Sequence, residues 1–302
     1  MYEIKNFIKD IKNRRISMKP LNLLGIEEII DDYDFFFIDL WGVIHNGKKI
    51  FINAIQVLKN LKVNKKIVIL ISNAPRPSQT VKDFLNKMNF DFNLIDNLIT
   101  SGDVTRDYLS QDLNKKFFHL GPSKDQDIFN KKNIYSKNIS DCDEIVCTGL
   151  NNTFSDIKTY ENILMQNIKY KKTMICANPD EVVSRGTKLE YCAGKIAQVY
   201  NTLGGKVIYF GKPFESIYNY AVETIKTQFK FKSIDKQKIL AIGDNLKTDI
   251  KGANNFGIDS ILILNGIYKD FEYDTNFNFE KLCNSNKIDN VYSNFYQKDL
   301  KW

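Results

Sequence analysis

Several short apolar runs in this chain each end in a polar residue, and this pattern constrains the fold more than any other feature. The first run is Phe35–Ile38, four consecutive apolar residues followed by Asp39. A strand without apolar–polar alternation is buried on both faces, which is typical of a parallel sheet covered by helices. Ligands of such sheets bind beyond the carboxyl ends of the strands. Asp39 is therefore a candidate site residue, although an Asp in this place can also simply cap a loop.

Three later apolar runs end in comparable chemistry. They are Ile67–Ile71 before Ser72 and Asn73, Val207–Phe210 before Lys212, and Ile239–Ile242 before Asp244 and Asp249. A serine and an amide after a strand also occur as ordinary turn residues. Helical segments alternate with these strands, which predicts an α/β fold with a parallel sheet.

The polar residues after these runs form a coherent chemical set. Carboxylates at neighbouring strand ends offer the hard oxygen ligands that Mg²⁺ prefers. A lysine beside them supplies a point charge for a phosphate group. A carboxylate can also attack phosphorus and carry the phosphoryl group covalently.

Outside these runs the sequence predicts less. Apolar spacing predicts helix over residues 1–33, interrupted at Pro20. The tail 268–302 is rich in Asn, Asp and aromatic residues, and predicts one helix near Phe279–Leu282.

Length, charge and cysteine usage limit the class of protein. A chain of 302 residues predicts two domains. The net charge is +7, but the lysines are dispersed, which favours a solvated surface over nucleic-acid binding. The first twenty residues lack the apolar core of a secretory signal, and Glu3 and Asp10 argue against a mitochondrial presequence. The five cysteines lack disulfide or metal-site spacing, which favours a reducing compartment, and we expect a cytoplasmic protein.

The run Gly243–Ile250 is the most specific motif of the chain. With the other three strand ends it resembles the haloacid dehalogenase superfamily of aspartate-nucleophile phosphotransferases. The resemblance covers residues 34–266 and is to subclass IIA, which includes the N-acetylglucosamine-phosphate, 4-nitrophenyl-phosphate and pyridoxal-phosphate phosphatases. It implies a Rossmann-like parallel-sheet core from residues 1–114 and 207–302, with an α/β cap inserted at 115–206.

The resemblance also implies roles for individual residues. Asp39 is the nucleophile and a Mg²⁺ ligand, the backbone carbonyl of Trp41 is a second ligand, Ser72 binds the transferred phosphoryl group, Lys212 neutralises charge, and Asp244 and Asp249 complete the metal site. Expected contacts to substrate come from Asn73, His45, Asn178 and Asp180.

One position departs from the family pattern. Family phosphatases carry a second Asp two residues after the nucleophile, where it protonates the leaving group and then activates water. This chain has Trp41 there, and an indole N–H does no acid–base work near neutral pH. Losing such a group costs about 10²–10⁴-fold. His45 is the nearest substitute for proton transfer, and otherwise it lines the entrance to the site.

We therefore expect Mg²⁺-dependent hydrolysis of a small phosphate monoester through an aspartyl-phosphate, slowed by Trp41. An alternative is a catalytically weakened module that binds phosphate esters as a sensor or interaction protein. Carbon–halogen hydrolysis by the same nucleophile uses no metal, so Asp244 and Asp249 argue against it. The expected partner is a small phosphorylated metabolite, with no nucleic acid and no membrane. A homodimer through the cap stays open.

Overall fold

The protein, analysed as a computed structural model, is described for residues 19–151, 156–185, 188–269, 271 and 277–302. The strands of this part are β1 (Leu21–Asn22), β2 (Phe35–Asp39), β3 (Ile67–Ser72), β4 (Asn97–Thr100), β5 (Lys116–Leu120), β6 (Ile134–Tyr135), β7 (Glu144–Cys147), β8 (Thr173–Cys176), β9 (Val182–Arg185), β10 (Lys188–Tyr191), β11 (Val207–Tyr209), β12 (Ile239–Gly243), β13 (Asp259–Ile263) and β14 (Phe295–Gln297). The α-helices are α1 (Ile52–Val63), α2 (Ser78–Asn86), α3 (Ser101–Ser110), α4 (Ile157–Asn167), α5 (Ala193–Thr202), α6 (Glu215–Phe229), α7 (Lys251–Phe256) and α8 (Phe279–Ser285).

The larger sheet has seven parallel strands in the order β1-β14-β13-β12-β2-β3-β4. Strand β2 is buried along its whole length. Phe36 and Ile38 face the apolar layer that contains α1 and α2, whereas Phe35 and Phe37 face the layer that contains α6 and α7. Burial on both faces explains why the run has no polar alternation. The predicted α/β class with a parallel-sheet core is confirmed.

A smaller sheet has five parallel strands in the order β11-β8-β7-β5-β6. Helices α4 and α5 pack on one face, where Tyr160, Leu164 and Ile196 are buried. Strands β9 and β10 form a separate antiparallel pair. The sequence analysis did not predict β9 or β10.

The position of β11 corrects the sequence analysis, which counted 207–210 as a core strand. Val207 and Tyr209 pair with Met174 and Cys176 of β8, so β11 is an edge strand of the smaller sheet. The predicted division at 206/207 therefore cuts this sheet between β8 and its partner. Lys212 follows the last strand of the smaller sheet, and its side chain reaches the larger one.

Two strands that are far apart in the sequence, β1 and β14, pair at one edge of the larger sheet. Strand β14 lies between β1 and β13, and Phe295 is buried in the core. The sequence analysis missed β14, although the predicted helix near 279–282 is present as α8. The helix predicted over 21–30 is wrong, because β1 and two short 3₁₀ turns, Ile26–Glu28 and Ile30–Asp32, take its place. The helix predicted over 1–18 lies outside the described residues.

No helix within the described ranges is long and apolar enough to cross a membrane. The longest α-helix there, α6, has 15 residues and carries Glu215, Glu223 and Lys226.

Candidate active site

Two neighbouring strands of the larger sheet bring carboxylates to its carboxyl edge. Strand β2 ends on Asp39 and β12 ends one residue before Asp244, and Ile38 pairs with Ile242 in the sheet register. A turn over Leu246–Ile250 follows β12 and presents Asp249. Ligand oxygens of the three acids lie within 4.8 Å of one another, and all three residues are buried.

Lys212 joins these acids from the opposite side. The residue is 4% exposed, and its Nζ donates hydrogen bonds to the Asp39 carboxylate and to the backbone oxygen of Ile71, the latter at 3.0 Å. The same Nζ lies 2.7 Å from Asp249 Oδ1. The sequence predicted Lys212 beside the acids, and the structure brings them together.

The electrostatics of this cluster leave it short of positive charge. Burial raises the pKa of Asp39 to about 8, although Lys212 opposes the shift. Burial, together with Asp39 and Asp249, also raises the pKa of Asp244 well above its usual range. Burial acts to lower the pKa of Lys212, but Asp249 and Asp39 outweigh it and raise that pKa. Three buried carboxylates thus face a single ammonium.

A divalent cation fits this donor set. The ligands at this edge of the sheet are all oxygen atoms, which Mg²⁺ prefers. A cation bound among them would supply positive charge to balance the three carboxylates. The backbone at Gly42 (φ +88°) lies against the Asp244 carboxylate, because a Cβ there would be 2.0 Å from Asp244 Oδ2. Ile267 N donates to that oxygen at 2.9 Å. Asp39, Asp244 and Asp249 are the residues that could hold the ion.

Ser72 and Asn73 follow β3, next to Asp39. Ser72 is 6% exposed, and its Oγ accepts a hydrogen bond from Ala74 N at 3.2 Å. The Asn73 side chain pairs with the backbone of Lys212: Lys212 N donates to Asn73 Oδ1 at 2.7 Å, and Asn73 Nδ2 donates to Lys212 O at 2.9 Å. Asn73 therefore fixes the backbone that carries the lysine.

The loop after β8 completes the site from the smaller sheet. Asn73 Nδ2 also donates to Asp180 Oδ1 at 3.0 Å, and Asp180 N donates to Asn178 Oδ1 at 3.0 Å. Interaction with the Thr248 side chain also favours the ionised form of Asp180 and acts to lower the pKa of its carboxyl. Asn178 and Asp180, predicted as substrate contacts, thus lie at the junction of the two parts.

A cavity of about 920 Å³ opens over these residues, and we call it the central cavity. Its walls include Asp39, Trp41, Ser72, Asn73, Asn178, Asp180, Lys212, Asp244 and Asp249. The sequence analysis missed a second group of wall residues, namely Arg76, Lys124, Asp125 and Thr148. Arg76 Nε lies 3.4 Å from Asp125 Oδ1. Arg76 lies four residues after Ser72, on the same loop. This nearness in the sequence was the one signal that could have predicted Arg76 as a wall residue.

His45 does not line the central cavity, which corrects its predicted role as a substrate contact or entrance residue. Its side chain is buried between Trp41 and Phe84, with ring centroids at 4.9 and 5.7 Å. Its Nδ1 accepts a hydrogen bond from Gly47 N at 2.8 Å. Burial lowers the pKa of His45 to about 4, so the ring is neutral at pH 7. His45 therefore packs within the loop after Asp39, and its ring lies outside the walls of the central cavity.

The fold and this acidic cluster place the chain among α/β proteins whose site lies at the carboxyl edge of a parallel sheet. Two family models match it: a haloacid dehalogenase-like hydrolase model over residues 36–135 and a HAD-hydrolase-like model over 209–285. A crystal structure of a haloacid dehalogenase-like hydrolase from Brucella suis is similar, with 35% identity and a TM-score of 0.77. The match covers 83% of this chain and 91% of that one.

The chain therefore belongs to the haloacid dehalogenase-like hydrolases, and it is a hydrolase. A 4-nitrophenylphosphatase of Schizosaccharomyces pombe is 22% identical over 271 residues, covering 82% of this chain and 88% of that protein. This match agrees with the predicted subclass. A cardiolipin synthase/mitochondrial hydrolase fusion protein of the same yeast is 37% identical over 76 residues, but the chain spans only 13% of that protein.

Proposed function

We propose that this chain hydrolyses small phosphate monoesters in a Mg²⁺-dependent reaction, with Asp39 as the nucleophile. The observation that carries the proposal is the contact of Lys212 Nζ with both Asp39 and Asp249 at the floor of the central cavity. This arrangement offers a carboxylate to attack phosphorus and an ammonium to neutralise phosphate oxygens. The similar 4-nitrophenylphosphatase supports the same reaction class.

Each residue of the site has a separate role in the proposed reaction. Asp39 forms an O–P bond while the ester oxygen leaves, and water later hydrolyses the aspartyl-phosphate. Lys212 opposes the rise in the pKa of Asp39, which favours the ionised form of the nucleophile, and it stabilises charge on the phosphoryl oxygens. Ser72 lines the cavity beside Asp39 and is placed to donate a hydrogen bond to the same group. Asp39, Asp244, Asp249 and the carbonyl of Trp41 would hold the Mg²⁺ ion, which when bound supplies positive charge to the transferring group.

Trp41 favours a second candidate function. Its side chain stands in the cavity wall two residues after the nucleophile, where it brings apolar surface and no exchangeable acid. An apolar residue at this position, in place of an acid, is expected of a sensor or interaction module that binds phosphate esters and turns them over slowly. Tight binding of a phosphate ester without turnover is the sign of this second function.

The experiment measures phosphate release from small phosphate esters and acyl phosphates, with and without Mg²⁺, for wild type and Asp39→Asn. Metal-dependent release that the variant lacks supports the phosphatase. The absence of release from every ester, while phosphate ligands still bind, supports the binding module. Glu181→Gln serves as the matched control, because the Glu181 side chain is partly exposed and forms a 3.6 Å surface ion pair with Lys247.

The remaining expectations belong to the same proposal. A small phosphorylated metabolite is the partner, and neither nucleic acid nor membrane is needed. The five cysteines are free and buried, as suits a reducing cytoplasm. A homodimer through the cap would use β6, the edge strand of the smaller sheet opposite β11, where Ile134 and Tyr135 are 42% and 51% exposed. Analytical ultracentrifugation of wild type and Tyr135→Glu tests this contact.

A further inference from the structure

Cleaving the phosphate ester of an alkyl alcohol expels an oxygen that needs a proton, so an enzyme that acts on such esters should have a proton donor in the central cavity. Among the described wall residues, the carboxyl groups outside the acidic cluster belong to Asp125, Asp180 and Glu190. Neither histidine lines the cavity. His119 is held in the smaller sheet, where its Nε2 is 2.8 Å from Thr148 Oγ1.

Of these three acids, Asp180 is the one that hydrogen-bonds to Asn73, whose side chain also pairs with the backbone of Lys212. Its Oδ1 shares the Asn73 Nδ2 group with the backbone oxygen of Lys212, at 3.0 and 2.9 Å. The same lysine bonds Asp39 through Nζ. The negative charge of Asp180 lies close enough to Asp39 to contribute to the raised pKa of Asp39.

The loop of Asp180 is hydrogen-bonded to the backbone at the start of α5. Gly194 N, at the start of α5, donates to Asp180 O at 3.1 Å, and Cys192 N donates to Glu181 O at 3.0 Å. Gly211 packs beneath the loop, since a Cβ there would lie 2.8 Å from Pro179 Cδ and 2.7 Å from Asn73 Oδ1. A carboxyl group that is fixed before substrate arrives needs no reorganisation during the reaction.

The other two acids are placed differently. Asp125 is only 4% exposed and pairs with Arg76. Its side chain interacts with Arg76 and Thr148, and among the described residues no hydrogen bond joins it to Asn73 or Lys212. Glu190 is exposed to solvent on β10.

We propose that Asp180 is the catalytic acid of this enzyme, donating a proton to the leaving-group oxygen of a phosphate ester bound at Asp39. The proposal rests on the proposed phosphatase function. As the Asp39 oxygen bonds to phosphorus and the P–O ester bond breaks, the proton of the Asp180 carboxyl passes to the departing oxygen, which leaves as an alcohol. The resulting carboxylate then takes a proton from the water that attacks the aspartyl-phosphate. Phosphate departs, and both carboxyl groups return to their starting states.

The acidity of Asp180 suits this task. Burial raises the pKa of its carboxyl to about 6, against the opposing charge of Lys212. A catalytic acid is most effective when its pKa lies near the working pH. The raised pKa supports the assignment, which stands on the contacts to Asn73 and on the wall position.

The test compares two substrates that differ in their need for a proton. The 4-nitrophenolate ion is a weak base and leaves unprotonated, whereas the alkoxide of glycerol 2-phosphate needs a proton. For Asp180→Asn, kcat/KM on glycerol 2-phosphate is expected to fall about 10²–10⁴-fold. On 4-nitrophenyl phosphate it should fall by less than about tenfold, because kcat/KM reports only steps up to departure of the leaving group.

The ratio of the two kcat/KM values is measured in one preparation, so the fraction of folded enzyme cancels. Glu181→Gln, one residue further along the loop, should leave the ratio unchanged. A loss of equal size on both substrates, including complete loss, would overturn the assignment. So would a changed ratio in Asp125→Asn with none in Asp180→Asn. Wild-type turnover that survives Asp39→Asn would instead overturn the proposed function itself.

Discussion

Lys212 is the residue through which the candidate site holds together. Its backbone pairs with Asn73, and its ammonium contacts Asp39, Asp249 and the end of β3. Its 4% exposure takes the charge almost out of water, and only paired carboxylates make that arrangement stable. The sequence predicted this lysine from its place after an apolar run, but not the route by which it reaches the acids.

Lys212→Met removes the ammonium and keeps most of the side-chain volume. We expect kcat to fall about 10²–10³-fold, since one charged donor to the transferring oxygens is lost. Thermal unfolding should also show a loss of about 3–5 kcal/mol, because buried carboxylates lose their counter-charge. Lys195→Met is the matched control, because the Lys195 ammonium hydrogen-bonds to Gln198 on α5 and lies outside the acidic cluster. Wild-type kcat in Lys212→Met would contradict this role.

His45 is the residue where sequence reasoning was wrong. Its place near the nucleophile suggested a proton donor, but the loop turns it into the apolar layer against Phe84. A single sequence gives no signal for this, since the direction of the side chain depends on how residues 41–47 close on themselves. The same burial makes His45 a source of acid sensitivity.

The folded-state pKa of His45 is about 4, below the value near 6.5 of an unfolded histidine. The unfolded chain therefore binds the proton first, and stability is lost as pH falls from 6.5 toward 4. Between pH 7 and 5 this group should cost about 2 kcal/mol. Asn at 45 keeps an acceptor for Gly47 N. In urea unfolding, the fall in stability over that range should be about 2 kcal/mol smaller in His45→Asn. Equal slopes would contradict the account.

At the scale of elements, most strands and helices could be predicted because their apolar runs are long and their ends carry turn residues. Asp39, Asp244 and Asp249 could be placed together for the same reason, since neighbouring parallel strands end at one edge. Sheet membership of β11 could not be predicted, because three residues carry no signal for which sheet they join. Strand β14 pairs with β1 from the far end of the chain, and no local pattern specifies such pairing.

A further prediction concerns Gly211, in the turn between β11 and α6. Gly211 has φ +115°, and a Cβ there would meet Asn73 and Pro179. Gly211→Ala should displace Lys212 and lower kcat at least tenfold, because small displacements of catalytic groups are costly. Gly204 also has a positive φ, +86°, with nothing within 4 Å of a Cβ. Gly204→Ala should therefore cost about 1–2 kcal/mol of stability and leave kcat unchanged. Equal kcat in the two variants would contradict the packing argument.

At the scale of the whole molecule, the central cavity lies where the two sheets meet. Asp39, Asp244 and Asp249 come from the larger sheet, whereas Asn178 and Asp180 come from the loop after β8. The ligand site thus draws on both parts of the chain, so that binding there stabilises the folded state as a whole.

Magnesium should raise the stability of the whole protein without any turnover. At a concentration 100 times its Kd, a ligand that binds only the folded state adds about 2.7 kcal/mol. Differential scanning calorimetry should show a higher Tm with MgCl₂ than with NaCl of equal ionic strength. Asp244→Asn should lose most of this increase. An equal increase in both proteins would contradict the assignment of the acidic cluster as the metal site.

The most direct test of the central claim traps the phosphoryl group on the enzyme. Wild type is mixed with Mg²⁺ and 4-nitrophenyl phosphate, quenched in acid during the first turnovers, digested and analysed by mass spectrometry. The account predicts one added phosphoryl group on the peptide that contains Asp39, and none in Asp39→Asn. Rapid turnover with that peptide unmodified, or with the phosphoryl group on another residue, would contradict Asp39 as the nucleophile.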